Sequence, residues 1–255
     1  MSNTSIVVRS VIYNIVFYLN LIFWVLAGIP TYLMSRDGVV WLASTWGRTS
    51  MWWLDKICNV KTEIRGLDNI PHGQPLIVAS KHQSIAETFT ILRFLSSPLY
   101  ILKRELTLLP LFGWYLIKAD MIAVDRSSGK SALINMTKKA REEIRSGRQL
   151  IIFPEGTRTA VDAPPAYKYG VAFIYAQCGV PCVPVALNTG VFWPRRKFLR
   201  FPGTLVIEFL PVIPAGLPTD EFYERMQEAI ETNTKRLVEE GRREQASLLS
   251  FRDAP

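Results

Sequence analysis

Residues 10–35 hold 26 positions without one charged side chain. About 20 apolar residues in a helix suffice to cross a bilayer, so such a run is either packed inside protein or placed in lipid. It is not uniform. Asn14, Asn20, Gly28, Pro30 and Thr31 interrupt it, and Pro30, with no N–H and a fixed φ, breaks or kinks its last turn. A second apolar stretch, residues 39–54, carries Trp41, Trp46, Trp52 and Trp53 around Arg48, four of the seven tryptophans in the chain. Trp favours the headgroup level of a membrane, which suits a helix lying at the interface. Residues 6–58 are thus expected to form a membrane-anchoring helical pair, dividing the chain into an anchoring segment (1–58) and a folded domain (59–255). A cleaved signal peptide is the competing reading. It is weakened by a single nearby charge, Arg9, by a run longer than an h-region and by the second Trp-rich stretch. Arg36, Arg48, Lys56, Lys61 and Arg65 outweigh Arg9, which places the folded domain on the cytoplasmic face of an inner membrane whether the pair spans or re-enters.

Past residue 58 the chain alternates short apolar runs with amphipathic ones. Residues 76–79, 99–102, 121–124, 150–153, 183–187 and 205–209 read as strands, and 84–95, 131–146 and 169–177 as helices. This alternation predicts an α/β layered domain with a largely parallel sheet flanked by helices. Pro218-Thr-Asp-Glu opens a last helix with Phe222, Met226, Ile230 and Leu237 on one face, and Gly241 is expected to end it.

The net charge of +8 implies an anionic partner. Cys58, Cys178 and Cys182 show no paired metal spacing, and two histidines leave little for a zinc site. No metal is expected, and the cysteines read as reduced, small apolar residues.

One of the two histidines, His82, follows the buried-strand run 75–80 and precedes a carboxylate, Glu87, by five positions. Histidine suits proton transfer near neutral pH, and a carboxylate beside it fixes its tautomer. Five positions is not one helix face, so His82 should lie just before a helix, with Glu87 in its first turn. Ser84-Ile-Ala-Glu87 is also a capping box, and from composition alone that role for Glu87 stays open. Downstream lie Ile122-Ala-Val-Asp-Arg126, Phe153-Pro-Glu155-Gly156-Thr157-Arg158 and the Pro-containing apolar strand 180–188. Arginine grips phosphate through a planar fork, and Gly156 permits close backbone approach, its N–H and the Thr157 hydroxyl being able to face an anion. Glu155 suits orienting an arginine or a glycerol hydroxyl.

These four motifs, in this order, resemble the glycerolipid acyltransferase family, and within it the bacterial 1-acylglycerol-3-phosphate acyltransferases. The likeness covers about residues 60–215, with Glu87 standing where the family usually has Asp. It implies a His82 general base oriented by Glu87. It implies an acceptor-phosphate site from Arg126, Glu155, Gly156, Thr157 and Arg158. Lys103 and Arg104, by their place next to a strand and not by the resemblance, are weaker candidates for phosphate or carrier. The implied reaction passes a fatty acyl group from acyl-carrier protein or coenzyme A to the sn-2 hydroxyl of 1-acylglycerol-3-phosphate, giving phosphatidic acid, with no cofactor beyond the thioester donor. The alternatives are a different lysolipid acceptor, such as a lyso-aminolipid or lysophospholipid; a thioesterase, though no Gly-x-Ser-x-Gly elbow is present; and a non-enzymatic membrane-binding module. Arg195, Arg196, Lys197 and Arg200, interleaved with Trp193, Phe198 and Phe201, suit anionic lipid headgroups or an acidic carrier protein better than nucleic acid, and a merely solvated loop equally well. Residues 108–115 and the first helix are candidates for acyl-chain contact, as for ordinary core.

Overall fold

The computed structural model describes residues 3–125 and 129–250. Two antiparallel helices, α1 (Asn3–Ala27) and α2 (Arg36–Cys58), are joined by a 3-10 turn at Ile29–Leu33, with Pro30 in its first positions. Then follow β1 (Val60–Arg65), β2 (Leu76–Ser80), α3 (Ala86–Ile91), β3 (Pro98–Lys103), α4 (Phe112–Lys118), β4 (Ile122–Val124), α5 (Gly129–Arg145) and β5 (Gln149–Ile152). The chain closes with α6 (Gly170–Cys178), β6 (Cys182–Leu187), the short α7 (Thr189–Phe192), β7 (Gly203–Phe209) and α8 (Thr219–Ser250).

The seven strands form one sheet in the order β1-β7-β6-β2-β5-β3-β4. Every pairing is parallel except β6 with β7. The expected α/β class with a largely parallel sheet is what the chain adopts. β2 is buried at all five positions between β5 and β6, as a strand covered on both faces must be. Its alternation feeds two cores. Leu76 and Val78 pack with Tyr13, Phe17, Met51, Leu54 and Phe89 from α1, α2 and α3. Ile77 and Ala79 pack with Ala140, Ile174, Phe222, Met226 and Ile230 from α5, α6 and α8. The result is a three-layer α/β/α sandwich, in which α1 and α8 cover opposite faces of the sheet. Each fully buried Phe or Leu contributes about 1.5–3 kcal/mol of transfer free energy.

The buried stripe of α1 is Ile6, Ser10, Tyr13 and Phe17. The asparagines that interrupt its apolar run lie on the same side. Asn14 donates to Phe198 O at 3.1 Å, and Asn20 donates to Thr49 Oγ1 at 3.1 Å and Ser50 Oγ at 3.0 Å. The outward face is then apolar throughout, from Val7 to Leu26, and α1 is long and apolar enough to cross a membrane.

Several elements differ from the sequence expectation. β1 and α4 were not foreseen. The helix expected at 84–95 is two pieces, α3 and a 3-10 turn Leu92–Phe94. Trp46 is not an interfacial residue like the exposed Trp41 and Trp52; it packs against Phe89 and Phe17, ring centroids 5.0 and 5.9 Å away. Gly241 does not end α8, which runs nine residues further to Ser250. It lies where α8 crosses α7, and a Cβ there would stand 2.9 Å from Asn188 Nδ2 and 3.1 Å from Phe192. The glycine is a packing contact.

Candidate active site

Parallel pairing brings the C-terminal ends of β2, β5, β3 and β4 to one edge of the sheet, the usual location of ligands in open α/β folds. Ala79 stands beside Ile152, and Lys103 beside Val124. The segments that follow these strands carry three of the four motifs.

His82 leaves β2 half-buried, its ring stacked on Phe153 with centroids 3.9 Å apart. Its Nδ1 is 2.9 Å from Glu87 Oε1. The Glu87 side chain is fully buried. Oε1 also accepts the N–H groups of Gln83 at 2.8 Å and Ser84 at 2.7 Å, and Oε2 accepts the Thr189 hydroxyl at 2.8 Å. The two roles open for Glu87 therefore coexist: it caps the start of α3 through the Ser84 N–H and faces the imidazole with the same oxygen. Donors surround it, which suits an acceptor-only carboxylate. With Nδ1–H directed at Glu87, Nε2 keeps its lone pair, and among the described residues it has no partner. That tautomer accepts a proton.

His82 borders a cavity of about 680 Å³ whose other walls are mainly apolar, including Trp24, Leu42, Tyr100, Leu116 and Met136. Of the proposed acyl-chain segments, Phe112 and Tyr115 line it along with Leu21 and Val25 of α1, while Leu108, Leu109 and Trp114 are exposed on the surface. Burial first, and then the Glu87 charge, hold the Tyr100 phenol well above its ordinary range, so it remains a donor, to Thr88 O.

Gly156, Arg158 and Lys103 lie on the cavity wall. Lys103 is exposed and paired with Glu105 at 2.6 Å. Arg158 has no carboxylate partner among the described residues. Gly156 has φ +69°, a conformation costly for any other residue. Its N–H is not free for an anion, because it donates to Phe153 O at 2.8 Å. Thr157 is exposed and off the cavity wall. Arg126 falls outside the described residues. Glu155 does not reach the cavity: it is buried, accepting from Lys81 Nζ at 2.9 Å, Thr159 Oγ1 at 3.0 Å and the His82 N–H at 3.3 Å. It braces the loops and has no arginine partner among the described residues.

Sequence reasoning missed Lys168. Its N–H donates to Pro154 O at 2.9 Å, and its ammonium lies over Gly156, where a Cβ would stand 3.2 Å from Nζ. It lines the same cavity as His82 and Arg158. Thr189, which fixes the second oxygen of Glu87, was also missed. Only the small residue just past a strand hinted at it.

The thiols offer no nucleophile. Burial pushes Cys182 up to about 12 and Cys178 up to about 11, so neither forms appreciable thiolate near neutrality. The basic cluster divides. Arg200 is internal, donating to the carbonyls of Lys197, Phe198 and Leu199 and to Asn14 Oδ1, 4.6 Å from the Trp193 ring. Arg196 and Lys197 stay exposed beside Phe198.

Comparison with known proteins identifies the fold and the family. The chain is 36% identical to the 1-acyl-sn-glycerol-3-phosphate acyltransferase of Pseudomonas aeruginosa over 68% of this chain and 67% of that protein. It is 32% identical to the lyso-ornithine lipid O-acyltransferase of the same organism, over 72% and 77%. A chloroplastic 1-acyl-sn-glycerol-3-phosphate acyltransferase of Brassica napus is 30% identical over 67% of this chain, which spans about half of that relative (51%). The crystal structure of the 1-acyl-sn-glycerophosphate acyltransferase PlsC of Thermotoga maritima shares the fold, with a TM-score of 0.73, covering 90% of this chain and 97% of that one at 22% identity. The Acyltransferase family model matches residues 61–188, from the first residues of β1 to the end of β6, and the chain belongs to that family.

Proposed function

We propose that this protein transfers a fatty acyl group from a thioester, of acyl-carrier protein or coenzyme A, to the sn-2 hydroxyl of 1-acylglycerol-3-phosphate, forming phosphatidic acid. The observation that carries this reading is the join of three features at one point: an imidazole nitrogen and two cations, Arg158 and Lys168, that have no carboxylate partner among the described residues, and an apolar cavity of about 680 Å³.

His82 Nε2 takes the proton of the sn-2 hydroxyl as its oxygen attacks the thioester carbonyl. The tetrahedral adduct collapses, the C–S bond breaks, and the imidazolium returns the proton to the departing sulfur, leaving an ester and a thiol. Such base catalysis supplies roughly 10²–10⁴-fold. Glu87 keeps Nδ1 protonated and offsets the imidazolium charge. Arg158, Lys168 and, by its place in the motif, Arg126 hold the phosphate, with Lys103 at the rim. The cavity takes an acyl chain.

The reaction is placed at the cytoplasmic face of the inner membrane, with the outward side of α1 in lipid. Tyr13 and Phe17 pack on Trp193 and Phe89 of the α/β body. A spanning α1 would draw that body into the bilayer, whereas a hairpin seated in one leaflet leaves it at the surface.

A second acceptor, a lyso-ornithine lipid, is favoured by the longer match to the Pseudomonas enzyme of that name. Two cations on the cavity wall, Arg158 and Lys168, suit a phosphate dianion better than a zwitterionic headgroup. The deciding experiment supplies purified protein in liposomes with one labelled acyl thioester and a panel of lysolipids. Phosphatidic acid from wild type and none from His82→Ala supports the proposal. Acylation of lyso-ornithine lipid alone replaces the acceptor, and free fatty acid alone replaces the reaction.

A further inference from the structure

We infer that Lys81, Glu231 and Tyr167 form a positioning network that sets both halves of the site, the His82 base and the Lys168 cation, from the α8 side of the sheet. The inference rests on the reading of His82 as the base. None of the three touches the cavity, and Glu231 lies beyond the 61–188 segment that the family model matches.

Lys81 continues the β2 ladder, its N–H donating to Val185 O at 3.1 Å. Adjacent residues of an extended chain point to opposite sides, so as His82 turns to the cavity, Lys81 turns inward. Its ammonium is 2.9 Å from Glu155 Oε1 and 2.7 Å from Glu231 Oε1, with the Lys81 side chain only 3% exposed. Glu155, sealed at 0% exposure, accepts the His82 N–H on its other oxygen. A carboxylate so far from water needs a cation beside it to offset its desolvation, and Lys81 is the cation that lies against it. Chain direction and buried charge both tie the His82 backbone to Lys81.

The same Glu231 oxygen accepts the Tyr167 hydroxyl at 2.7 Å. Burial first, then the Glu231 charge, keep that phenol protonated. Tyr223 Oη donates to Tyr167 O at 3.0 Å. Tyr167 is thus fixed to α8 by both side chain and backbone, and its chain neighbour is Lys168. Pairs 81–82 and 167–168 repeat one arrangement: an inner residue held by Glu231 and an outer one presented to the substrate.

The test is steady-state acylation of 1-acylglycerol-3-phosphate by the full-length enzyme in liposomes, with thermal unfolding to confirm folding. Lys81→Met should lower kcat about 10²-fold, the scale of a ~1 Å misplacement, with the acceptor KM nearly unchanged. Tyr167→Phe should raise the acceptor KM severalfold and spare kcat. Glu231→Gln should do some of both. The Lys81→Met/Glu231→Gln double variant should be little worse than Lys81→Met, because the two act through one chain of contacts. A folded Lys81→Met enzyme with kcat within about twofold of wild type, or a double variant showing the product of both single effects, overturns the inference. Should Lys81→Met fail to fold, the near-isosteric Glu231→Gln and Tyr167→Phe decide by the same split, and unchanged kcat and KM in both overturn it. Activity surviving His82→Ala defeats the base assignment instead, and the positioning inference falls with it.

Discussion

Helices α1 and α8 flank the same sheet from opposite sides, and each buries one stripe, Ile6, Ser10, Tyr13 and Phe17 in α1 and Phe222, Met226, Ile230 and Leu237 in α8. Their outer faces differ completely. α8 presents Glu224, Arg225, Glu228, Lys235 and Glu239, the ordinary distribution for a helix between core and water. α1 presents Val11, Ile15, Leu19, Ile22 and Phe23, and keeps Ser10, Asn14 and Asn20 for the protein side. Periodicity alone locates an inward face in either helix. The medium beyond is read from where the polar residues go. In α1 they are turned inward, which is favourable only where the outer medium is less polar than the partner surface.

The comparison breaks most readily at the outer face of α1. Replacing Ile15, Leu19 and Ile22 together by Asp should lower partition into anionic vesicles on the order of 10³-fold, since each apolar side chain moved between lipid and water is worth about 1.5–3 kcal/mol at full burial. The melting temperature should hardly move, because none of the three is buried. Asp at the exposed α8 positions Thr232, Ala246 and Ser247 should leave partition within about twofold. Equal losses in a flotation assay would show that the two outer faces meet the same medium.

A smaller effect tests the inner side of α1. Arg200 joins that helix to the 193–201 loop through Asn14 and three carbonyls, and its own N–H donates to Ser10 Oγ at 2.9 Å. Arg200→Ala keeps the N–H bond to Ser10 but strands Asn14 Oδ1 and the three carbonyls, and should cost about 2–4 kcal/mol in chemical denaturation. A cost below about 1 kcal/mol would mean that water replaces the guanidinium, and that the α1 junction is wet.

Much of this was legible in the sequence, for physical reasons. β2, β5 and β6 announce themselves because strands buried on both faces are continuous apolar runs. β1 does not: at the sheet edge it pairs only with β7 and exposes Lys61, Thr62 and Glu63. Asn14 and Asn20 read as flaws in the apolar run because they were seen along the chain and not around the helix. His82 and Glu87 could be placed about the start of α3 from local spacing. Lys168 could not, since Tyr-Lys-Tyr has no signal until residues 154–168 fold back over Gly156. Glu155 points toward substrate in the sequence only because its partner, Lys81, lies 74 positions earlier.

Gly241 shows the same limit and yields a sharper test. A helix-terminating glycine can be replaced by Ala at small cost where φ is ordinary, and the smaller unfolded-state entropy even favours it. At an α8 crossing with Asn188 Nδ2 2.9 Å from the new methyl, Gly241→Ala should instead cost about 1–3 kcal/mol. Asn188 would have to release Leu237 O or Thr204 O, which its amide holds at 3.3 and 3.2 Å. A neutral or stabilising Gly241→Ala in urea titration would restore the terminator reading and leave the α7–α8 crossing loosely packed.

The smallest effect belongs to the outer face of α8. Arg242 reaches both oxygens of Asp162 at 2.7 Å, a geometry that would matter greatly in a dry interior. Here the side chains are 50% and 76% exposed, so solvent screens the pair and its ordering entropy offsets most of the Coulomb gain. Arg242→Ala should therefore cost less than about 1 kcal/mol, and high salt should shrink even that difference. The substitution isolates what a charged outer helix surface contributes, just as the α1 aspartates isolate an apolar one. On α8 neither stability nor membrane partition should respond appreciably. A loss above about 2 kcal/mol that survives high salt would mark the Arg242–Asp162 pair as desolvated. The contrast between the two helices would then be one of covered surfaces rather than of water against lipid.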